Sequence, residues 1–227
     1  MIIFDKKMYM KLRMILAGLL VSVVCVFCVG KKPSETAVSL EQAASATGQQ
    51  YQLDTINSMI EWIGSAPGNY KHNGIVKFSS GTLGAVEESL ANGSLQVNMK
   101  TISALDQSGK DKKNLESHLM NEDFFEVEKF PAGAFQFVRV GSVADSAGYS
   151  LQVEGNLTLK GVTQPVRFKA KASVNPDTLT AESAPFTIDR TKWGIVYHSG
   201  IIGTIKDDLI NDEIVLKVRL MAAKQSL

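Results

Sequence analysis

Thiols, histidines and any excess of one charge are scarce in this chain. Its 227 residues include two cysteines, Cys25 and Cys28, both within the first thirty positions. Nothing downstream of residue 30 can therefore form a disulfide or present a thiolate. The C-x-x-C spacing would suit a redox pair or half a zinc site in a cytosolic domain, but here it lies in an apolar leader with no scaffold to set its geometry. Three histidines, His72, His118 and His198, stand in separate segments without a pair at metal-ligand spacing. Missing as well are a G-x-S-x-G elbow, an H-E-x-x-H helix and a G-x-x-x-x-G-K-[ST] phosphate loop. These absences point away from an enzyme and leave catalytic residues, metal and cofactor unassigned. Lys+Arg number 24 against 23 Asp+Glu, so the chain lacks the basic footprint of a nucleic-acid binder.

One long apolar run is present. Lys6, Lys7, Lys11 and Arg13 precede "MILAGLLVSVVCVFCVG", Met14 to Gly30, and the next charge is Lys31. Basic residues followed by such a run describe an export signal over residues 1–30. The alternative is an uncleaved anchor, for which the run falls just short of the ~20 residues a spanning helix needs. Cys28, at the end of the run, is the candidate for lipid modification as in a bacterial lipoprotein, with Cys25 as the other choice. Residues 1–30 hold four of the basic residues and one acid, so the remainder carries 20 against 22, a net charge of −2. Residues 31–49, "KKPSETAVSLEQAASATGQ", are small and polar and read as a flexible tether. The folded domain is expected over 50–224, exported to the periplasm or held at the outer membrane by the lipid.

From Tyr51 onward the dominant period is two. "YSLQVEGNLTLKG" sets Leu151, Val153, Leu157 and Leu159 against Gln152, Glu154, Asn156 and Thr158, and "VTQPVRFKAKASV" sets Val166, Phe168, Ala170, Ala172 and Val174 against Arg167, Lys169 and Lys171. "DEIVLKVRLMA" alternates likewise, and Asn92-Gly93 signals a hairpin ahead of Leu95, Val97 and Met99. About eight strands with one wet face predict an antiparallel sheet, best closed as a barrel, with a sandwich as the alternative. A single helix is expected, over "GKDKKNLESHLM", Gly109 to Met120. After it, "NEDFFEVEKFP" fits neither period and predicts an irregular connection anchored by Phe124, Phe125 and Phe130.

Four segments, "IEWIGSAPGNYKHNG", "GKDKKNLESHLMNEDFFEVEKFPAGAFQF", "VEGNLTLKGVTQPVRF" and "FTIDRTKWGIVY", resemble in order and spacing the YceI-like family of lipocalin-like, polyisoprenoid-binding periplasmic proteins. The resemblance covers about residues 51–222. It implies an all-β fold, an extended eight-stranded antiparallel barrel with one short helix. It also implies an apolar lumen for an isoprenoid lipid, such as a quinone tail or a polyprenyl phosphate. Many members carry Arg-Asp three and two residues before the helix histidine, where this chain has Leu115-Glu116.

With that lumen in view, the expected ligand contacts are Trp62, Val76, Phe78, Leu95, Val97, Phe135, Phe137 and Phe168 along the walls, and Phe124 and Phe125 at its mouth. His72 shares the parity of Val76 and Phe78 and would offer a headgroup contact, or else a hydrogen bond at the barrel end. Asp189 and Arg190 are adjacent, so at most one can face inward; Asp189 is taken as the ligand contact and Trp193 as a cap beside it. Expected partners are an isoprenoid lipid or quinone, and a membrane through the lipid anchor. The oligomeric state is left open, a homodimer included. Three functions fit: a non-catalytic lipid binder or carrier, an enzyme acting on such a lipid, and a surface lipoprotein whose barrel is only a scaffold.

Overall fold

A computed structural model describes residues 44–45, 48–203, 205 and 208–224. Residues 1–43, which hold the expected export signal with Cys25 and Cys28 and most of the expected tether, lie outside the described residues. Ten strands and one α-helix follow in the order β1 (Gln49–Leu53), β2 (Met59–Ala66), β3 (Tyr70–Val86), β4 (Ser89–Ala104), α1 (Gly109–Met120), β5 (Ala132–Ser142), β6 (Leu151–Leu159), β7 (Val162–Val174), β8 (Thr178–Ser183), β9 (Phe186–Asp189) and β10 (Glu213–Lys224). All pairings are antiparallel, and β10 meets both β2 and β8, so the sheet closes on itself. β1 and β2 lie end to end along β3 and along one edge of β10, while β8 and β9 lie end to end along its other edge. Counted as positions around the ring, the ten strands make the expected eight.

Each break in a wall strand is patched by a buried serine. Between β1 and β2, Asp54 folds a short turn by accepting from the backbone N–H of Ile56 (2.9 Å) and Asn57 (3.1 Å). The chain then re-enters at Ser58, fully buried, whose hydroxyl donates to Met221 O (3.2 Å) and accepts from Met221 N (2.9 Å). Between β8 and β9, Ser183 is 2% exposed and its hydroxyl accepts from Val218 N (2.8 Å). Both hydroxyls thus stand in for ladder bonds that β10 would otherwise miss, as buried backbone groups require. On its far side β9 has no ladder to β7 among the described residues. There Phe168 stacks on Phe186 with centroids 4.5 Å apart, and Gln164 Nε2 donates to Lys192 O (3.0 Å).

The hairpin expected at Asn92-Gly93 is elsewhere. β3 and β4 turn at Glu87-Glu88, both at positive φ (49° and 62°), between the paired residues Val86 and Ser89. This is the two-residue turn whose twist suits a hairpin, made here without glycine. Asn92 and Gly93 are buried inside β4 at a register shift. A Cβ on Gly93 would come within 2.9 Å of Leu83 and Phe137, so close packing requires this glycine. The β6–β7 turn at Lys160-Gly161 is formed as read, with φ of 48° and 74°. One wet-face residue is covered: Glu154 is 6% exposed beneath Arg139 (2.7 Å) and Arg167 (2.9 Å) from the flanking strands.

α1 spans the expected residues, yet none of its side chains is fully buried, and twelve residues make a marginal helix on their own. Glu116 ties it to the wall by accepting from Ser103 Oγ (2.9 Å) and from Ala104 N (2.9 Å). The connection after it is a chain of turns: Phe125 N reaches Leu119 O (3.1 Å), Glu126 N reaches Asn121 O (2.7 Å), and Val127 N reaches Met120 O (2.8 Å). Phe124 and Val127 are thereby buried, Phe125 and Phe130 half-buried, and Glu122 and Glu128 stay in water.

Candidate functional site

The inward faces of the ring enclose two apolar chambers in series. Chamber one, with a free volume of about 60 Å³ for the centre of a water molecule, is walled by Phe78, Leu90, Leu95, Phe135, Phe137, Val153, Phe168, Phe186 and Leu220 among others. Chamber two, at about 130 Å³ on the same measure, is walled by Trp62, Val76, Met99, Ile102, Leu159, Ile188 and Ile214, and is covered by Leu119, Phe124 and Phe125. Ile60, Val97, Leu157 and Leu216 line both, so the two chambers adjoin at these residues. One water needs roughly 10–15 Å³ of such volume together with polar partners. These chambers offer several times that space and few polar groups, which is the environment of a hydrocarbon.

The cavity depends on glycines where strands approach closely. A Cβ on Gly155 would fall 2.2 Å from the Phe135 ring, and one on Gly74 would fall 2.5 Å from the Trp62 ring. Each glycine therefore leaves room for the aromatic ring beside it, which a side chain would displace toward the centre.

Ten expected wall and mouth residues line a chamber: Phe78, Leu95, Phe135, Phe137 and Phe168 in the first, Trp62, Val76, Phe124 and Phe125 in the second, and Val97 in both. His72, Asp189 and Trp193 do not. His72 Nδ1 lies 2.7 Å from Asp106 Oδ2 at the barrel end, the hydrogen-bonded alternative named above. Burial works against the Asp106 carboxylate, but bonds from His72, Asn73 N and Gln107 outweigh it and hold that carboxyl below its ordinary value. Asp189 turns to the following 3-10 turn, accepting from Thr191 N (3.0 Å) and Thr191 Oγ1 (2.6 Å). Trp193 is 2% exposed and donates from Nε1 to Leu157 O (3.0 Å), so it is packed outside the lining.

The inward member of the 189–190 pair is Arg190, which lines chamber two at 1% exposure. Its guanidinium clasps the loop that follows: Nε to Asn211 O (3.2 Å), Nη1 to Ile195 O (2.9 Å), Nη2 to Ile210 O (3.0 Å), with Asp212 Oδ1 at 3.2 Å. Burial lowers its pKa, while Asp212 and Asp189 push back; an arginine so paired keeps its charge. Ile210 and Asn211 were also missed, because they come from an irregular loop and carry no periodic signal.

Around the mouth, His118 meets Phe124 and Tyr197 edge-on at 5.1 and 4.9 Å, and its Nε2 lies 3.1 Å from Asp123 Oδ2. The acids near the end of α1 face different ways, Glu116 toward β4 and Asp123 toward His118. Among the described residues no group of three or more His, Cys, Asp or Glu could hold a metal ion. The Glu116 carboxyl is opposed by burial, yet Ser103, Ala104 N and Lys112 together set it below its ordinary value. That acid docks the helix against β4, with Leu115 before it in the chain.

Comparison with known proteins places this geometry. The family model described as "YceI-like domain" matches residues 51–222. A UPF0312 protein of Shewanella denitrificans is 36% identical over 81 residues, 36% of this chain and 39% of its own length. A UPF0312 protein of Pseudomonas putida is 28% identical over 134 residues, 58% of this chain and 66% of its own. The chain thus spans about four tenths of the first of these relatives and just under two thirds of the second. Among solved structures, Burkholderia cenocepacia BcnA superposes with a TM-score of 0.58 at 19% identity, covering 75% of this chain and 99% of that one. A polyisoprenoid binding domain from Saccharophagus degradans, implicated in plant cell wall breakdown, superposes with a TM-score of 0.53 at 14% identity, covering 77% and 98%. At these identities the two structures speak for the fold.

Proposed function

The chain belongs to the YceI-like domain family, and from that membership and the shape of its interior we propose that it binds a long apolar lipid of the isoprenoid type without chemically changing it. The observation that carries this reading is the pair of apolar chambers that adjoin at Ile60, Val97, Leu157 and Leu216 along the barrel interior. A fully packed barrel core would leave neither. A narrow linear chain bearing only methyl branches, with enough carbons to occupy both chambers, matches the space. The Saccharophagus degradans neighbour, described as polyisoprenoid binding, supports the same ligand class.

The lipid is held as a slowly released cargo. Burying one CH₂ is worth about 0.8 kcal/mol, so each five-carbon unit inside the lumen contributes on the order of 3–4 kcal/mol. A chain of several units does not escape quickly into water. Release requires a membrane or partner at the mouth, where Phe124 and Phe125 sit on a connection that moves more easily than the wall strands. We further propose that the protein is exported and that acylation of Cys28 brings the mouth to a membrane. A Cys28→Ser form should leave the membrane fraction; retention of that form with release of Cys25→Ser would reassign the anchor.

The decisive experiment is organic extraction of the purified folded domain followed by mass spectrometry. An isoprenoid-type lipid in near-stoichiometric amount is expected, and a protein that neither carries nor takes up such a lipid would refute the proposal. A mass-shifted product on incubation with the lipid would replace binding by catalysis.

A further inference from the structure

The walls of the lumen also bear on the polar end of the ligand, provided the lipid-binding reading holds. Two charged residues contribute to those walls, Glu182 in chamber one and Arg190 in chamber two. Glu182 directs its carboxylate to Lys217 (2.8 Å) and Lys171 (3.9 Å). Arg190 has its charge balanced by Asp212, and its three nitrogens are all engaged by the carbonyls of Ile195, Ile210 and Asn211. A phosphate drawn into either chamber would leave water, which is costly for an ion without a partner, and would find no uncommitted cation among the lining residues.

Uncharged hydrogen-bonding groups are placed differently. The Asn211 side chain, in the wall of chamber two, gives one Nδ2 hydrogen to Ser65 Oγ (2.9 Å). Among the described residues no other side chain takes up the rest of that amide. Trp62, in the same wall, has its Nε1 buried with no acceptor among the described residues. A buried donor of this kind is uncommon and costly to leave unmet. Both groups can donate to a ligand oxygen, and neither brings the charge that would offset the desolvation of an anion.

We propose that the lumen selects an uncharged isoprenoid, whose terminal hydroxyl or carbonyl oxygen is bound by the Asn211 amide at the Trp62 end of chamber two, and that it discriminates against the corresponding phosphate. The experiment titrates the delipidated full chain with geranylgeraniol and with geranylgeranyl phosphate, which share one hydrocarbon chain, both below their aggregation limits. The alcohol should bind at least about tenfold more tightly, since the phosphate must shed its hydration without compensation. Asn211→Leu should reduce that preference by weakening the alcohol alone. Ser65→Ala removes the same internal hydrogen bond but keeps the amide, and should leave the preference intact. Equal binding of the two ligands, or tighter binding of the phosphate, overturns this inference while leaving lipid binding in place. If neither ligand binds, the lipid-binding reading itself fails. A preference lost equally in Ser65→Ala assigns the effect to loop packing and removes Asn211 as the contact.

Discussion

Replacing Val97 by phenylalanine should cut the lumen in two. Val97 is 3% exposed on β4, paired with Phe78 on β3 and Gly133 on β5, and it is one of the four residues shared by both chambers. A ring there points inward where the chambers adjoin, since the parity of β4 fixes the direction of its side chain. Overpacking costs about 1–3 kcal/mol of stability, which a urea midpoint on the ligand-free protein would register. The binding effect is larger. Each isoprene unit kept out of the lumen forfeits about 3–4 kcal/mol, and about 1.4 kcal/mol is a factor of ten, so losing one unit weakens binding at least about a hundredfold. The assay is affinity for prenyl alcohols that differ by one unit. Wild type should gain with each unit until both chambers are filled, and the variant should stop gaining at the length that fills one. Val97→Ala, which makes room at that junction, should keep the wild-type profile. A folded Val97→Phe protein with an unchanged length profile would refute a continuous lumen.

Three further outcomes follow from the same framework. Ser58→Ala and Ser183→Ala each remove a hydroxyl that completes the β10 ladder, and each should lower stability by about 1–3 kcal/mol because buried backbone groups lose their partners. Chemical denaturation measures this, and changes within about 0.3 kcal/mol would mean that water takes the place of the hydroxyl. Glu116 has a folded pKa below its ordinary value of 4.5, so its contribution to stability is fully present above that value and is lost as pH falls through the lower folded one. Amides of α1 should therefore lose exchange protection below about pH 4.5 in wild type, whereas Glu116→Gln should show the weaker protection already at pH 7. A folded Phe124→Ala, Phe125→Ala double variant should deliver bound lipid to vesicles faster than wild type; equal rates would limit the pair to a structural plug.

The strands were legible because one face of each is wet. Alternation in β6, β7 and β10 identified the inward residues, and Val153, Leu157, Val166, Phe168, Leu216 and Leu220 among them do line the chambers. Period two says which face a residue takes but not how far along the barrel the lumen runs, and so it could not choose between the two places expected for His72. It has the inward parity, but it lies at the end of β3 where Asp106 engages it. At Asp189 and Arg190 the rule of opposite faces left two choices, and Arg190 is the one that lines chamber two. A buried arginine is unexpected until the carbonyls of Ile195, Ile210 and Asn211 are brought around it by a loop without periodicity. Asn92-Gly93 failed because its glycine answers to Phe137, 44 residues away in sequence, and local turn chemistry carries no information about that contact.

Closure through β10 has a consequence for how the protein is made. Of the ten strands it is the last to be synthesised, and it alone joins the two broken walls, pairing with β1, β2, β8 and β9. Until it arrives, β2 to β8 can assemble only as an open trough with an apolar concave face and two unpaired edges. Such pairings across most of the chain are slow to form, and an exposed edge invites association with other chains. A lipid lying in the trough would cover that face during the wait and be enclosed when the final strand docks. Cargo could then be acquired at birth and without passing the mouth, and a domain refolded in the absence of lipid would differ from the native one in yield before it differed in structure.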